Sequence, residues 1–256
     1  MKKVYIILAA LLLIVATYFI YKYYFAIDFE EVTVERTTEN CEDNCFSVNL
    51  NYLKCKGASE FATNFNKEIE LQIANFLLCN DDDSLQIDDV SIEKALDNFL
   101  SDYNNLHEHF PNIPAYELTL TDSIMWQNDK MLSLISNRYS FTGGTDAVQK
   151  KVYINFALDN GEVITNENLF TDEDKVLAIA DKYFRIAHDT AQIESLDGKG
   201  FDFEDGKFRL PKSIGVGKQG VLLFYEPFEI APYLDVPFEV VIPMEEVEKY
   251  LTFSSK

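Results

Sequence analysis

The sequence is poor in the residues that most catalytic and metal sites require. It contains 3 histidines, 4 cysteines and 1 tryptophan in 256 residues. Two of the histidines stand in His107-Glu108-His109, and side chains two residues apart on a helix point about 200° away from each other. No HExxH spacing, no G-x-S-x-G turn and no GxxxxGK[ST] loop occurs. These absences predict a protein without catalytic residues, without a bound metal and without a cofactor.

Positive charge is also scarce. The chain has 22 Lys and Arg against 43 Asp and Glu, which gives a net charge of −21. Such a surface repels nucleic acid and attracts cationic partners by long-range steering. We therefore expect no nucleic-acid partner; solubility is the alternative reason for the acidity.

Long hydrophobic runs are absent except at the N-terminus, where two lysines precede an apolar run from Val4 to Ile20. As a helix this run would be about 25 Å long, at the short end of what a bilayer requires. We expect residues 1–27 to be an uncleaved signal anchor in the membrane, with the remainder extracytoplasmic, either periplasmic or extracellular. Secretion after signal cleavage is the alternative, although no good small-residue cleavage site follows the run.

The four cysteines lie within 39 residues, at Cys41, Cys45, Cys55 and Cys79. In an exported protein such a cluster predicts two disulfides, and three pairings are possible. We favour Cys41–Cys45 with Cys55–Cys79, because the second bridge would join a strand end to a helix end. The paired C-x-x-C spacing of a zinc site is missing.

Hydrophobic periodicity predicts an α+β fold in which amphipathic helices pack on antiparallel sheets. Alternation predicts strands over residues 28–40, 46–53, 115–127, 130–141, 149–158, 213–226 (a hairpin) and 237–243. A helical period predicts helices over 59–79, 91–109 and 171–196, and a short one after Pro243. The middle three strands form a meander. We expect two intimately associated modules, residues 28–110 and 111–256.

Gly143 and Gly144 lie at the second turn of this meander. A phosphate-binding loop would stand between a strand and a helix, whereas this pair stands between two strands. We therefore expect both glycines to supply positive φ angles for a turn.

Three stretches carry a family resemblance: YSFTGG (139–144), INFALDNGEVITNENLF (154–170) and GVLLFYEPFEIAPYLDVPFEVVIPMEEVEKYL (220–251). They resemble the extracytoplasmic domains shared by the anti-sigma factor RsiV and the N-terminal region of the peptidoglycan deacetylase PdaC. The resemblance is best over residues 115–252 and looser over 28–110. Two departures stand out: Thr145 follows Gly144 where the family commonly has Ala-His, and Phe228 replaces a tyrosine.

The resemblance implies a non-catalytic, sensor-like binding module of the bacterial cell envelope, alone and without a sigma-binding or deacetylase domain. Its expected partner is a cationic protein such as lysozyme, or an envelope glycan. The candidate contacts are Tyr139, Phe141, Thr142, Gly143, Gly144, Thr145, Tyr225, Glu226, Phe228 and Tyr233. Some of these side chains could instead pack a loop against the sheet. A hydrolase acting on peptidoglycan or another polysaccharide, and a structural protein of envelope assembly, are the alternative functions.

Overall fold

The structure is a computed structural model that describes residues 11–17, 27–38, 45–78, 91–190, 192 and 196–254. Residues 11–17 are helical and exposed, and nearly all the rest of the predicted anchor lies outside the described residues. Within those ranges no helix has the length and hydropathy needed to cross a membrane.

Five strands form the larger sheet, sheet I, in sequence order. They are β1 (Phe29–Thr37), β2 (Ser47–Cys55), β3 (Glu117–Gln127), β4 (Met131–Phe141) and β5 (Val148–Ala157). The meander β3–β4–β5 is antiparallel, as predicted. β2 and β3 pair in parallel, because the chain between them crosses over through two helices.

The two crossover helices, α1 (Glu60–Leu77) and α2 (Ile92–His109), cover one face of sheet I. Each begins as the sequence predicts, since Ser59 accepts from Ala62 N and Ser91 accepts from Lys94 N, which satisfies amides that would otherwise lack partners. The buried aromatic side chains then interlock; the rings of Phe65 and Phe156 lie 4.7 Å apart. This is the first hydrophobic core.

The second core lies under a three-stranded antiparallel sheet, sheet II. It consists of β6 (Ser213–Gly217), β7 (Gly220–Tyr225) and β8 (Phe238–Pro243). The helices α3 (Asn166–Leu169), α4 (Glu173–Ala187) and α5 (Met244–Val247) accompany it, with 3₁₀ turns at Leu196–Lys199, Glu204–Gly206 and Glu248–Tyr250. Phe184 of α4 is fully buried among the aromatic rings of this core. The α+β class with two associated modules is confirmed.

The helix predicted over residues 171–196 is shorter than expected at both ends. The helix begins after Asp172, which caps it by accepting from Lys175 N, while the Thr171 hydroxyl donates to Tyr250 O. At the other end Asp189 takes a φ of 52°, and a left-handed residue ends a helix.

The two sheets join at the crossing of two edge strands, β5 and β6. The Ser213 hydroxyl accepts from Tyr153 N at 3.0 Å and donates to Lys151 O at 3.2 Å. It thus makes the hydrogen bonds that the backbone of a further strand would make at that edge. The side chains of Asn155 and Ser133, which face each other in register, bond the backbone of β6. Asn155 Nδ2 donates to Ile214 O at 2.8 Å, and Ser133 Oγ accepts from Val216 N at 3.0 Å.

The predicted module boundary after residue 110 falls between α2 and β3. Sheet I contains strands from both sides of that position.

The predicted bridge Cys55–Cys79 is wrong, because Cys55 is a free, buried thiol. Its side chain is enclosed in the first core, where a free cysteine behaves as a small hydrophobic residue, and burial raises the pKa of its thiol. Two disulfides therefore cannot form. Cys45 is disulfide-bonded, but Cys41 and Cys79 lie outside the described residues, so Cys41–Cys45 stays a prediction.

Substituting Gly215→Ala should destabilise the sheet junction. An added Cβ would lie 2.6 Å from the Tyr153 ring and 2.8 Å from the Met125 methyl, and overpacking a filled site costs about 1–3 kcal/mol of unfolding free energy. Urea unfolding measures the loss. Gly144→Ala is the control, since its nearest new contact is at 3.9 Å; an equal loss in both variants would contradict the close approach.

Candidate functional site

A groove opens on the face of sheet I that points away from α1 and α2. Odd-numbered side chains of β4 and β5, and of β3 as far as its bulge between Ile124 and Trp126, share this face, as the register Thr119–Tyr139–Gln149 shows. One end of the face, at Met131 and Ala157, is buried in the second core, and β6 covers the middle. The far end stays open and forms the groove, with a volume of about 410 Å³.

The groove is lined by hydroxyl, amide, aromatic and charged groups. The residues of sheet I that line it are Glu117, Thr119, Thr121, Asn137, Arg138, Tyr139, Gln149, Lys150 and Lys151. Phe224 of β7 and Pro237, just before β8, complete the lining. Such a surface offers both hydrogen-bond donors and acceptors, beside a flat ring at Tyr139.

An ion pair ties the two sheets together beside the groove. Lys151 of β5 pairs with Glu239 of β8, and its ammonium lies 5.4 Å from the centroid of the Phe224 ring. Burial, with a further contribution from Glu239, raises the pKa of Tyr153 to about 12. Tyr153 is therefore a neutral phenol throughout the physiological range.

A second, larger cavity lies on the opposite face of the same strands. This rear cavity, of about 500 Å³, lies between the end of α1 and the start of β6. Its lining includes Thr142 and Glu226, two candidates from separate predicted segments that the fold brings together.

A polar cluster lies beside the rear cavity, where the hydrophobic face of the meander ends. Asp122 and Ser136 are buried register partners, and Arg138 Nε donates to Ser136 Oγ at 3.2 Å. Asp122 Oδ1 is buried and has no hydrogen-bond partner among the described residues. Burial raises the pKa of Asp122 to about 6, against the opposing effects of Ser136 and Arg138.

In the turn at residues 142–145, the backbone conformation requires a glycine at the first of the two glycine positions and not at the second. Gly143 has a φ of 82°, whereas the φ of Gly144 is not in the left-handed range, so the prediction of two positive φ angles is wrong for Gly144. A Cβ at Gly143 would lie 3.4 Å from the Tyr116 ring. Phe141 is half-buried and Thr145 is exposed, with its hydroxyl bonded to Asp146.

The other predicted segment divides into a buried and an exposed part. Tyr225 is fully buried and its hydroxyl donates to Arg209 O at 2.7 Å, so it packs the second core and does not face a ligand. Phe228 is exposed and has a φ of 66°. Tyr233 is 93% exposed and lies outside both the groove and the rear cavity.

The sequence prediction named one residue of the groove lining, Tyr139. It missed the polar positions Thr119, Thr121, Asn137 and Gln149. The alternation of the meander could have identified them, because each of these polar residues stands between residues that point to the opposite face of the sheet. Within the described ranges, no group of three or more His, Cys, Asp or Glu side chains is placed to hold a metal ion.

Two family models match the chain in succession. The model described as Deacetylase PdaC matches residues 39–148, and the model described as Protein of unknown function (DUF3298) matches residues 167–245. No curated protein matches the chain.

Two crystal structures share the fold. A DUF3298 family member from Bacteroides fragilis NCTC 9343 has a TM-score of 0.65 at 15% identity, covering 88% of this chain and 94% of that one. A DUF3298 family protein from Pseudomonas aeruginosa PAO1 has a TM-score of 0.63 at 18% identity, covering 90% and 98%. At these identities the likeness is one of fold alone.

Replacing Asp122 by asparagine should change how stability depends on pH. Because the pKa of Asp122 is about 6 in the folded protein and ordinarily 3.8, the folded state keeps this proton longer than the unfolded state. Its contribution therefore favours folding at low pH and is lost as the pH rises from 3.8 to 6. Across that window the wild type should lose up to about 3 kcal/mol relative to Asp122→Asn, measured by urea unfolding at each pH. Parallel stability profiles for the two proteins would contradict a buried carboxyl.

Proposed function

We propose that the chain is a non-catalytic binding module of the bacterial cell envelope. It belongs to the family that pairs a PdaC domain with a DUF3298 domain, and both domains are of extracytoplasmic type and unknown function. Its ligand is an envelope glycan held in the groove of sheet I. Residues 1–27 anchor it in the membrane, and the basis for that anchor is the apolar run after Lys2 and Lys3.

The composition of the groove carries this proposal. A glycan presents many hydroxyl groups, each both donor and acceptor, and its sugar rings have apolar faces. The groove offers hydroxyl and amide groups that can donate to and accept from the glycan hydroxyls, at Thr119, Thr121, Asn137 and Gln149. Tyr139 offers a ring on which a sugar ring can stack. The volume of about 410 Å³ is within the range of ligand sites.

The acid content of the groove favours binding over hydrolysis. Glycosidases use a pair of carboxyl groups on either side of the bond that they cleave. Among the residues that the structure describes, Glu117 is the one carboxylate in the groove lining, and no second carboxyl for such a pair lines the groove there. We therefore propose that the groove holds its ligand unchanged.

A second candidate ligand is a cationic protein such as lysozyme. The observation in its favour is an exposed apolar loop in an acidic chain: Tyr233 is 93%, Leu234 47% and Val236 47% exposed, and the net charge is −21. Charge would steer a cationic protein toward the chain, and the loop would supply apolar contact area.

Two single variants separate these ligands. Tyr139→Ala should weaken co-sedimentation with peptidoglycan sacculi by roughly tenfold in affinity, because a stacking contact contributes about 1 kcal/mol or more. Tyr233→Ala should leave that affinity unchanged and should weaken only binding to lysozyme, measured by calorimetric titration at low salt.

Equal loss of sacculus binding in both variants would contradict the groove, as would sacculus binding that Tyr139→Ala leaves intact. Release of soluble muropeptides by the wild type during incubation would contradict a non-catalytic role. Lysozyme binding that survives Tyr233→Ala would remove the loop as its contact.

A further inference from the structure

We propose that the rear cavity binds a carboxylated sugar. Arg138 and Lys150 alternate with Tyr139 and Gln149 along β4 and β5, and these two cations border the groove as well as the rear cavity. Lys212, Asn75 and Thr142 line the rear cavity and not the groove, so a variant at Lys212 tests the cavity separately from the groove.

The first argument is the charge of the cavity. Of the residues that the structure describes, three cations line it, Arg138, Lys150 and Lys212, together with one carboxylate, Glu226. This is a net charge of +2 in a chain whose net charge is −21. A concave site of one sign between low-dielectric walls concentrates ligands of the opposite sign, so the cavity selects an anion.

The second argument is that the central cation has a fixed orientation. Arg138 Nη2 donates to Gln72 Oε1 at 3.1 Å and Nε to Ser136 Oγ at 3.2 Å, while its guanidinium lies 5.7 Å from the centroid of the Phe76 ring. A guanidinium held in this way loses little further freedom when it binds a carboxylate. Lys150 is also held, with its ammonium 3.7 Å from Glu226 Oε2.

The third argument is that the rest of the lining fits a sugar ring. Asn75 Oδ1 is buried and has no hydrogen-bond partner among the described residues, and a buried polar atom of this kind calls for a donor. The hydroxyls of Ser140 and Thr142 supply further hydrogen-bonding groups, and Phe76 and Val152 supply an apolar wall. An anion alone would leave these groups without a role.

Together these features define the ligand class. The cations require a negative group, the hydroxyl and amide groups require a polyol, and the apolar wall requires a ring with an uncharged face. A uronic acid or another sugar with a carboxyl substituent has all three. The volume of about 500 Å³ is enough for a small ligand.

The test is a titration of the full-length chain with D-glucuronate, D-glucose and acetate, followed by nuclear magnetic resonance. We expect glucuronate to bind at least about tenfold more tightly than glucose or acetate. Lys212→Glu should weaken glucuronate binding by roughly tenfold or more, and Lys212→Arg should preserve it. Lys218→Glu is the matched control: Lys212 and Lys218 flank the same strand β6, and both are exposed, but Lys218 does not line the cavity.

Each contrary result would overturn the proposal. Glucose binding as tight as glucuronate binding would show that the cations do not select the ligand. Acetate binding as tight as glucuronate binding would show that the sugar ring contributes nothing. Equal effects of Lys212→Glu and Lys218→Glu would place the anion outside the cavity, provided that unfolding by urea shows both variants to be as stable as the wild type.

Discussion

The junction of β5 with β6 is the constraint on which the rest of the structure depends. At the edge of β5, Ser213 makes the hydrogen bonds that a neighbouring strand would make. Asn155 and Ser133 of sheet I hydrogen-bond to the backbone of β6. Buried polar groups are costly without partners, so these bonds favour one relative position of the two sheets. Gly215 permits the approach, since a side chain there would collide with Tyr153.

Both candidate sites follow from where this junction lies along the meander. β6 covers only the middle of the odd-numbered face, so its far end stays open as the groove, with Phe224 beside it. On the other face α1 ends at Leu77, and the cavity forms where its last turns leave β4 and β5 uncovered. One end of three strands therefore carries two neighbouring sites, which share Arg138 and Lys150.

Local patterns in the sequence predicted the local structure. Alternation located the meander, and Ser59 and Ser91 marked the starts of α1 and α2. The end of α4 was missed because the amphipathic stripe gives no sign of the left-handed Asp189. The free state of Cys55 was missed because it depends on burial under α1, which cysteine spacing does not report.

The candidate sites could be predicted only in part, because they depend on contacts between residues distant in sequence. Tyr139 came from a family pattern, but Phe224 and Pro237 join it only through the sheet junction. The parallel pairing of β2 with β3 likewise depends on which edge the crossover reaches. Fully buried Tyr225 shows that a family motif can mark the core as readily as a binding surface.

The most direct test of the account is to map a bound glycan on the protein. Backbone amide shifts would be followed by nuclear magnetic resonance while a soluble peptidoglycan fragment is titrated into the full-length chain. The account predicts shifts concentrated at Thr119, Asn137 and Tyr139, on the open end of the odd-numbered face. Shifts confined to residues 232–236, or no shifts at saturating fragment, would contradict it.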